Sequence, residues 1–113
     1  MKFEILHNGN VVFTKDLAEG SYKIGRAQDC DIVIDSTKIS KHHALLVVKG
    51  NRAAILDTDS SNGTFVNGIL IKKQLLKSTD RIEIGAHVIQ RASELKHKKP
   101  LEVFSSQGSA AID

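Results

Sequence analysis

The chain has 113 residues and a net charge of +3, with 41% hydrophobic and 26% charged residues, which is typical of one globular domain rather than a disordered chain. Its single cysteine, Cys30, excludes an intramolecular disulfide and a zinc site of four cysteines, and it favours a reducing, cytoplasmic setting. No apolar run approaches the ~18 residues of a membrane helix, and the first residues lack a signal-peptide stretch, so we expect neither membrane insertion nor secretion.

Short apolar segments separated by turn residues begin at the N-terminus. Residues 2–6 alternate in polarity and predict a first strand, and Asn8-Gly9 then predicts a hairpin turn into a second strand at residues 11–13. A third strand is predicted at residues 21–25 and a short fourth strand at residues 31–34.

The second half of the body continues this pattern. Six further strands are predicted, at residues 44–49, 53–56, 64–66, 69–71, 81–84 and 87–90. Asn67-Gly68 is predicted to be only a hairpin turn, because two strand segments flank it directly. No window shows the period of a helix, and short strands at this spacing predict an all-β sandwich or barrel.

The C-terminal residues differ from this body. Residues 91–99 could form a short helix or be disordered, and Pro100 would interrupt them. Residues 105–109 have the composition of a linker. We therefore expect a domain at residues 1–91, followed at residues 92–113 by a linker or C-terminal tail that leads to a further domain; a frayed terminus is the alternative.

Motifs for catalysis or cofactor binding are missing from the sequence. No glycine spacing matches a phosphate-binding loop of nucleotide enzymes or a dinucleotide fingerprint, and no nucleophile elbow is present. His42 and His43 are adjacent, and on a strand they would point to opposite faces, so they could not chelate one metal ion. We expect no enzyme activity, no cofactor and no metal.

Four clusters of polar residues and glycines occupy predicted turn regions, three of them where strands meet loops. Loops on a rigid β scaffold are the usual place for binding groups. The clusters are Gly25-Arg26, Ser40-Lys41-His42-His43, Ser60-Ser61-Asn62-Gly63-Thr64 and Asn67-Gly68.

The side chains of the first three clusters suit an anion with several acceptor oxygens. Arg26 offers a fork of donors that matches phosphate geometry, Ser40 and Ser61 offer hydroxyl groups, and Lys41 offers a compact positive charge. Asn62 carries a donor and an acceptor, as the clamping of a peptide backbone requires. A phosphorylated side chain is such an anion. Taken singly, each of these residues could instead be an ordinary surface or turn residue.

Two other residues of these loops have simpler interpretations. His43 stands next to an apolar run, which favours a buried, hydrogen-bonded framework residue over a catalyst or ligand. Cys30 is interpreted as a small side chain in a loop without a special role.

The order and spacing of the motifs closely resemble the forkhead-associated (FHA) domain over roughly residues 2–91. The matching segments are residues 22–26, Ser40-x-x-His43 and residues 57–68, with residues 32–35 between the first two and residues 80–85 closing the set. The resemblance implies a β-sandwich of about eleven strands in two twisted sheets, with binding loops at one end. It also implies a non-enzymatic signalling module that binds phosphothreonine but not phosphoserine, in another protein or within its own, and regulates an attached effector domain.

The resemblance also implies a role for each matching position. Arg26 and Ser40 would hold the phosphate oxygens with help from Lys41, Ser61 would add a hydroxyl contact, and Asn62 would hydrogen-bond the peptide backbone.

Three further positions of the resemblance support or modify the site. His43 would brace the loop that presents Ser40, and Gly25 and Gly63 would let the backbone turn tightly. The family usually has glycine where this chain has Asp59. Aspartate tolerates the left-handed backbone region, so the fold should survive, while its charge could weaken phosphate binding modestly.

Three alternative functions remain at this point. A phosphate-independent interaction domain would need exposed apolar patches. A nucleic-acid binder agrees with the charge of +3 but lacks stacking aromatic residues, which make up only 4% with no tryptophan. A hydrolase that uses Ser40 or Ser61 as its nucleophile lacks an activating context.

Overall fold

The computed structural model describes residues 1–92, which form eleven strands and no helix, so none of these residues lies in a helix that could cross a membrane. The strands are β1 Lys2–His7, β2 Asn10–Asp16, β3 Gly20–Gly25, β4 Ile32–Val33, β5 Ala44–Lys49, β6 Arg52–Asp57, β7 Thr64–Val66, β8 Ile69–Ile71, β9 Lys73–Leu76, β10 Arg81–Ile84 and β11 His87–Arg91. The all-β prediction is confirmed. Apart from Ala92, the predicted linker or tail at residues 92–113 lies outside the described residues.

Strand β9 is the one described strand that the sequence pattern did not predict. It pairs with β6 at the edge of a sheet, and its first three residues are all exposed. Because no buried residue alternates with an exposed one there, the period-2 signal of a half-buried strand is absent. The other ten strands match the predicted segments to within a few residues.

The strands form two sheets of a β-sandwich. The six-stranded sheet has the order β2-β1-β11-β10-β7-β8, and the five-stranded sheet has the order β4-β3-β5-β6-β9. All pairs are antiparallel except β3 with β4.

Both asparagine-glycine pairs form the hairpin turns that the sequence predicts. Asn8 and Gly9 have φ angles of 55° and 80° between β1 and β2, and Asn67 and Gly68 have φ angles of 52° and 82° between β7 and β8. Two successive left-handed residues match the twist of the flanking strands, which is the reason that this pair favours hairpins.

The core lies between the two sheets and consists of the alternate, inward-facing residues of the strands. In β5, for example, Ala44, Leu46 and Val48 are buried while Leu45 and Val47 are half-buried. The buried cluster is Phe3, Ile5, Leu17, Ile24, Ile32, Ile34, Ile39, Ala44, Leu46, Val48, Ala53, Ile55, Val66, Ile82, Ile84 and Ile89. Its members come from both sheets, so the core fixes the sheets relative to each other.

The strand register brings three loops to one end of the five-stranded sheet. Ile24 near the end of β3 pairs with Ala44 at the start of β5, and Ala44 also pairs with Asp57 at the end of β6. The β3–β4, β4–β5 and β6–β7 loops therefore begin or end side by side. These are the loops that contain Arg26, Ser40 and Ser61.

Candidate functional site

The three loops meet at Ser40. The backbone N–H of Arg26 donates to the carbonyl oxygen of Ser40 at 3.0 Å, which joins the β3–β4 loop to the β4–β5 loop. The backbone N–H of Ser61 donates to the Ser40 hydroxyl oxygen at 3.0 Å, which joins the β6–β7 loop to the same residue. Because Oγ already accepts a hydrogen bond, the hydroxyl hydrogen of Ser40 is free to donate to a ligand oxygen.

The Arg26 side chain is half-buried and held in place from one side. Its Nε atom donates to the carbonyl oxygen of Ile39 at 3.0 Å. Within residues 1–92, its terminal guanidinium nitrogens have no acceptor and no carboxylate partner. The guanidinium is thus oriented by the protein and keeps its bidentate face for an external anion.

Lys41 and Ser61 add exposed donors to the same end of the sandwich. Neither side chain has a hydrogen-bond partner or an ion pair among the described residues. Together with Arg26 and Ser40, they give a cluster of donors in which no carboxylate takes part, as the binding of an anion requires.

His43 is completely buried and connects two of the loops through its ring. The backbone N–H of Ser40 donates to Nδ1 at 3.1 Å, and Nε2 donates to the carbonyl oxygen of Gly63 at 2.9 Å. These partners fix the neutral ring with its hydrogen on Nε2. A buried ring with both nitrogens engaged positions Ser40 and has no capacity left for a ligand.

Asp57 has no predicted role from the sequence, but in the structure its carboxylate stabilises the β6–β7 loop through hydrogen bonds. Its carboxylate accepts hydrogen bonds from the Ser60 hydroxyl, from the Ser60 backbone N–H at 3.2 Å and from the Thr64 hydroxyl at 2.7 Å. Burial pushes the pKa of Asp57 upward, but these hydrogen bonds outweigh burial and leave the pKa below its ordinary value. The signal in the sequence was an aspartate followed by serine three residues later, a spacing typical of side-chain-stabilised turns.

The structure corrects the reason for glycine at position 25. Gly25 does not have a positive φ angle, so it is not needed for a tight turn. A Cβ atom there would instead overlap the carbonyl oxygen of Lys41 and approach its carbonyl carbon to 2.8 Å. Glycine is required because the backbones of the two loops touch.

Gly63 and Asp59 do occupy the left-handed region. Gly63 has a φ angle of 90°, and a Cβ atom there would lie 2.7 Å from Cδ1 of Leu70. Asp59 has a φ angle of 61°, so the chain adopts the glycine-type conformation at this position with an aspartate.

Asn62 borders an open cavity of about 450 Å³ beside the three loops that meet at Ser40, which we call the Ser40-centred loops (β3–β4, β4–β5 and β6–β7). Its Nδ2 atom donates to the carbonyl oxygen of Lys38 at 2.7 Å, which leaves the side-chain carbonyl oxygen as an acceptor for a peptide N–H. The other cavity residues are Lys38, Phe65, Gly85 and Ala86.

Comparison with known proteins identifies related sequences. A family model described as the FHA domain matches residues 22–85. The ABC transporter ATP-binding/permease protein Rv1747 of Mycobacterium tuberculosis is 44% identical over 82 residues, which cover 73% of this chain and 9% of that protein. The transcriptional regulatory protein EmbR of Mycobacterium tuberculosis is 37% identical over 86 residues, covering 68% of this chain and 22% of EmbR. The chain spans less than a quarter of either relative.

Solved structures with the same fold include complexes. The crystal structure of the FhaA FHA domain complexed with the intracellular domain of Rv3910 is 31% identical, with a TM-score of 0.70, and covers 79% of this chain and 96% of that chain. Mycobacterium tuberculosis EmbR in complex with a low affinity phosphopeptide is 32% identical, with a TM-score of 0.68, and covers 81% of this chain and 25% of EmbR.

Proposed function

Since the chain belongs to the FHA family, we propose that the loops around Ser40 bind the phosphothreonine of a partner protein. FHA domains are phosphothreonine-recognition modules that mediate protein interactions, and theirs is not a catalytic fold. The related structures of FhaA and EmbR hold a protein domain and a phosphopeptide respectively.

One observation carries the assignment to these residues: the loop that contains Arg26 and the loop that contains Ser61 are both hydrogen-bonded to Ser40. The side chains of Arg26 and Lys41, which supply the positive charge there, have no acidic partner among residues 1–92. A phosphate dianion offers three strong acceptor oxygens. The guanidinium of Arg26 and the hydroxyl of Ser40 supply donors for it, and the ammonium of Lys41 and the hydroxyl of Ser61 add two more. These four groups supply donors for the phosphate oxygens, and no buried charge is left without a partner.

Asn62 extends the site from the phosphate to the peptide. Its side-chain amide is oriented by Lys38, so its carbonyl oxygen can accept a backbone N–H beside the phosphothreonine. His43, Gly25 and Gly63 act indirectly, because they set the positions of the loops and not the contacts with the ligand.

The proposal also includes a partner and a cellular setting. The phosphothreonine can belong to another protein or to another segment of the same protein, and binding it would regulate an effector domain attached to this module. We place the domain in the cytoplasm, where kinases have ATP for phosphorylating threonine.

A binding titration tests the assignment. The purified domain is titrated with fluorescent peptide libraries that carry phosphothreonine, phosphoserine or unphosphorylated threonine at one fixed position. We expect binding to the phosphothreonine library alone. Arg26→Ala should raise the Kd at least about tenfold, because one charge-assisted contact worth roughly 1.5–3 kcal/mol is lost.

The matched control is Arg52→Ala. Arg52 is an exposed arginine at the start of β6, the opposite end of the strand from the Ser40-centred loops. The Arg52→Ala variant loses one positive charge, as Arg26→Ala does, but far from the site. Its Kd for the phosphothreonine library should therefore stay within about twofold of that of the unchanged protein. Equal losses in both variants would reduce the role of Arg26 to general electrostatics and overturn the site assignment.

A phosphate-independent interaction is the second candidate, and exposed apolar residues support it. Ile69 and Leu70 in β8 and Leu75 in β9 are 67%, 61% and 57% exposed. Exposed apolar side chains that lie together can mark a protein interaction surface. Binding of an unphosphorylated partner that Leu75→Lys weakens and Arg26→Ala leaves unchanged would favour this function.

A further inference from the structure

A cluster of three potential metal ligands lies beside the Ser40-centred loops. Asp29 and Cys30 belong to the β3–β4 loop, and His42 belongs to the β4–β5 loop. A carboxylate oxygen, the thiol sulfur and a ring nitrogen of these residues all lie within 4.8 Å of one another. The Nε2 atom of His42 is 3.0 Å and 3.2 Å from the two carboxylate oxygens of Asp29.

We propose that Asp29, Cys30 and His42 bind one Zn²⁺ ion or a divalent cation of similar softness. Sulfur, imidazole nitrogen and carboxylate oxygen are the three ligand types that Zn²⁺ takes in proteins, whereas Ca²⁺ and Mg²⁺ prefer oxygen alone. Three protein ligands leave the fourth tetrahedral position to water.

The distances become compatible with this geometry after small movements of the side chains. Bonds of about 2.0–2.3 Å from a tetrahedral ion place its ligand atoms roughly 3.3–3.8 Å apart. The side chains of Asp29 and His42 are 60% and 54% exposed, so both can adjust toward Cys30, whose residue is only 7% exposed. The fixed sulfur and two adjustable ligands can therefore converge on one ion.

Three existing contacts compete with the ion, and the first is the hydrogen bond between His42 Nε2 and the Asp29 carboxylate at 3.0 Å. The Cys30 thiol donates to the carbonyl oxygen of Lys41 at 3.2 Å, and the Lys23 ammonium lies 3.5 Å from Asp29. Metal binding has to release the thiol proton and to displace Lys23 from Asp29. Without metal, the same three residues would simply form a surface hydrogen bond between Asp29 and His42 next to a buried thiol.

Such an ion would connect two of the loops that meet at Ser40. Its ligands Cys30 and His42 flank the backbone hydrogen bond at 3.1 Å from Ala27 N–H to the Lys41 carbonyl oxygen. The sequence did not indicate this cluster, because Asp29 and Cys30 lie thirteen and twelve residues before His42, on another loop.

A cobalt titration of the reduced 113-residue chain, with any polyhistidine tag removed, tests the proposal. Co²⁺ replaces Zn²⁺ and reports a bound thiolate through sulfur-to-metal charge-transfer absorption. We expect this absorption to saturate at one equivalent and to disappear when Zn²⁺ is added. Cys30→Ser should abolish it, and Asp29→Asn and His42→Gln should each weaken Co²⁺ binding at least about tenfold, since one of three ligands is lost.

The control variant is His7→Gln, which removes a histidine of the six-stranded sheet and should leave the titration unchanged. Circular dichroism of each metal-free variant verifies that it is folded. Absence of the charge-transfer absorption, or undiminished affinity in both Asp29→Asn and His42→Gln, would overturn the proposal and leave the cluster as a hydrogen-bonded pair beside a thiol. These readouts do not involve a phosphopeptide, so the metal site and the phosphothreonine site can fail independently.

Discussion

At the scale of single residues, we expect His87 to make folding stability depend on pH. Its ring stacks on that of His7 with centroids 4.5 Å apart, and its Nδ1 atom is buried without a hydrogen-bond partner among the described residues. Burial and the neighbouring His7 both lower the pKa of His87. A lowered pKa means that the unfolded chain takes up a proton at a higher pH than the folded protein does.

The free energy of unfolding should therefore decrease as the pH falls. The stabilising contribution of neutral His87 is complete above the unfolded pKa of about 6.5 and is lost as the pH falls toward the lower pKa of the folded state. We expect the urea midpoint to fall between about pH 7.5 and about pH 5, and to fall less in His87→Phe, which keeps an aromatic ring but does not titrate. Identical pH slopes in the two proteins would contradict this assignment.

Asp57 contributes to stability through the hydroxyl groups that it accepts. Asp57→Ala leaves the hydroxyl of Thr64, a completely buried residue, without its partner. We expect a loss of about 1–3 kcal/mol in the free energy of unfolding, measured by urea denaturation. Asp35→Ala is the control, because Asp35 is exposed and its side chain makes no hydrogen bond within residues 1–92. This variant should change stability by less than about 0.5 kcal/mol.

At the scale of elements, the contact between the β3–β4 and β4–β5 loops depends on Gly25. Gly25→Ala pushes a methyl group into the Lys41 carbonyl, so one loop has to move. We expect a stability loss of about 1–3 kcal/mol and a Kd for the phosphothreonine library at least about tenfold higher.

The variant Gly68→Ala separates the loss of stability from the loss of peptide affinity. Gly68 has a φ angle of 82° but open space around its Cβ position, and its turn follows β7 at the end remote from Ser61. This variant should lose about 1 kcal/mol through backbone strain and keep its peptide affinity. Weakened binding in Gly68→Ala to the same degree as in Gly25→Ala would show that general destabilisation, and not loop position, controls affinity.

The predictability of the elements depended on their burial. Strand β5 was evident in the sequence because its buried residues alternate, and the two asparagine-glycine turns were evident because they need left-handed residues. Strand β9 was not evident, because its residues are mostly exposed and its position comes from pairing with β6. Local patterns thus identified the strands that have a buried face or a required turn.

The residue types of the candidate site were predictable from the sequence, but the contacts between its loops were not. The sequence contained Ser40 and His43 at the expected spacing, and the buried environment of His43 followed from the apolar run beside it. The hydrogen bond from His43 to Gly63 spans twenty residues and exists only because the strand register brings their loops together. The same register brings Cys30 close to His42, although the sequence suggested no partner for Cys30.

At the scale of the whole molecule, stability and binding are separated in space. The buried cluster runs between the sheets from Phe3 to Ile89, while the proposed phosphate donors lie in loops at one end of the sandwich. Substitutions of exposed donors such as Lys41 or Ser61 should therefore change affinity and leave the unfolding free energy nearly constant.

We expect the domain to end close to Arg91, the last residue of β11. Strand β11 ends at Arg91, and the backbone N–H of Ala92 donates to the carbonyl oxygen of Lys2 at 2.9 Å. Residues 92–113 carry three lysines against three carboxylate side chains, so their net charge is zero and the excess of +3 lies before them. A chain that ends at residue 92 should keep its melting temperature within about 2 °C and its phosphothreonine-peptide Kd within about twofold, because it retains the core and the donors. A larger change in either quantity, measured by thermal unfolding and by peptide titration beside the full chain, would show that the later residues belong to the domain.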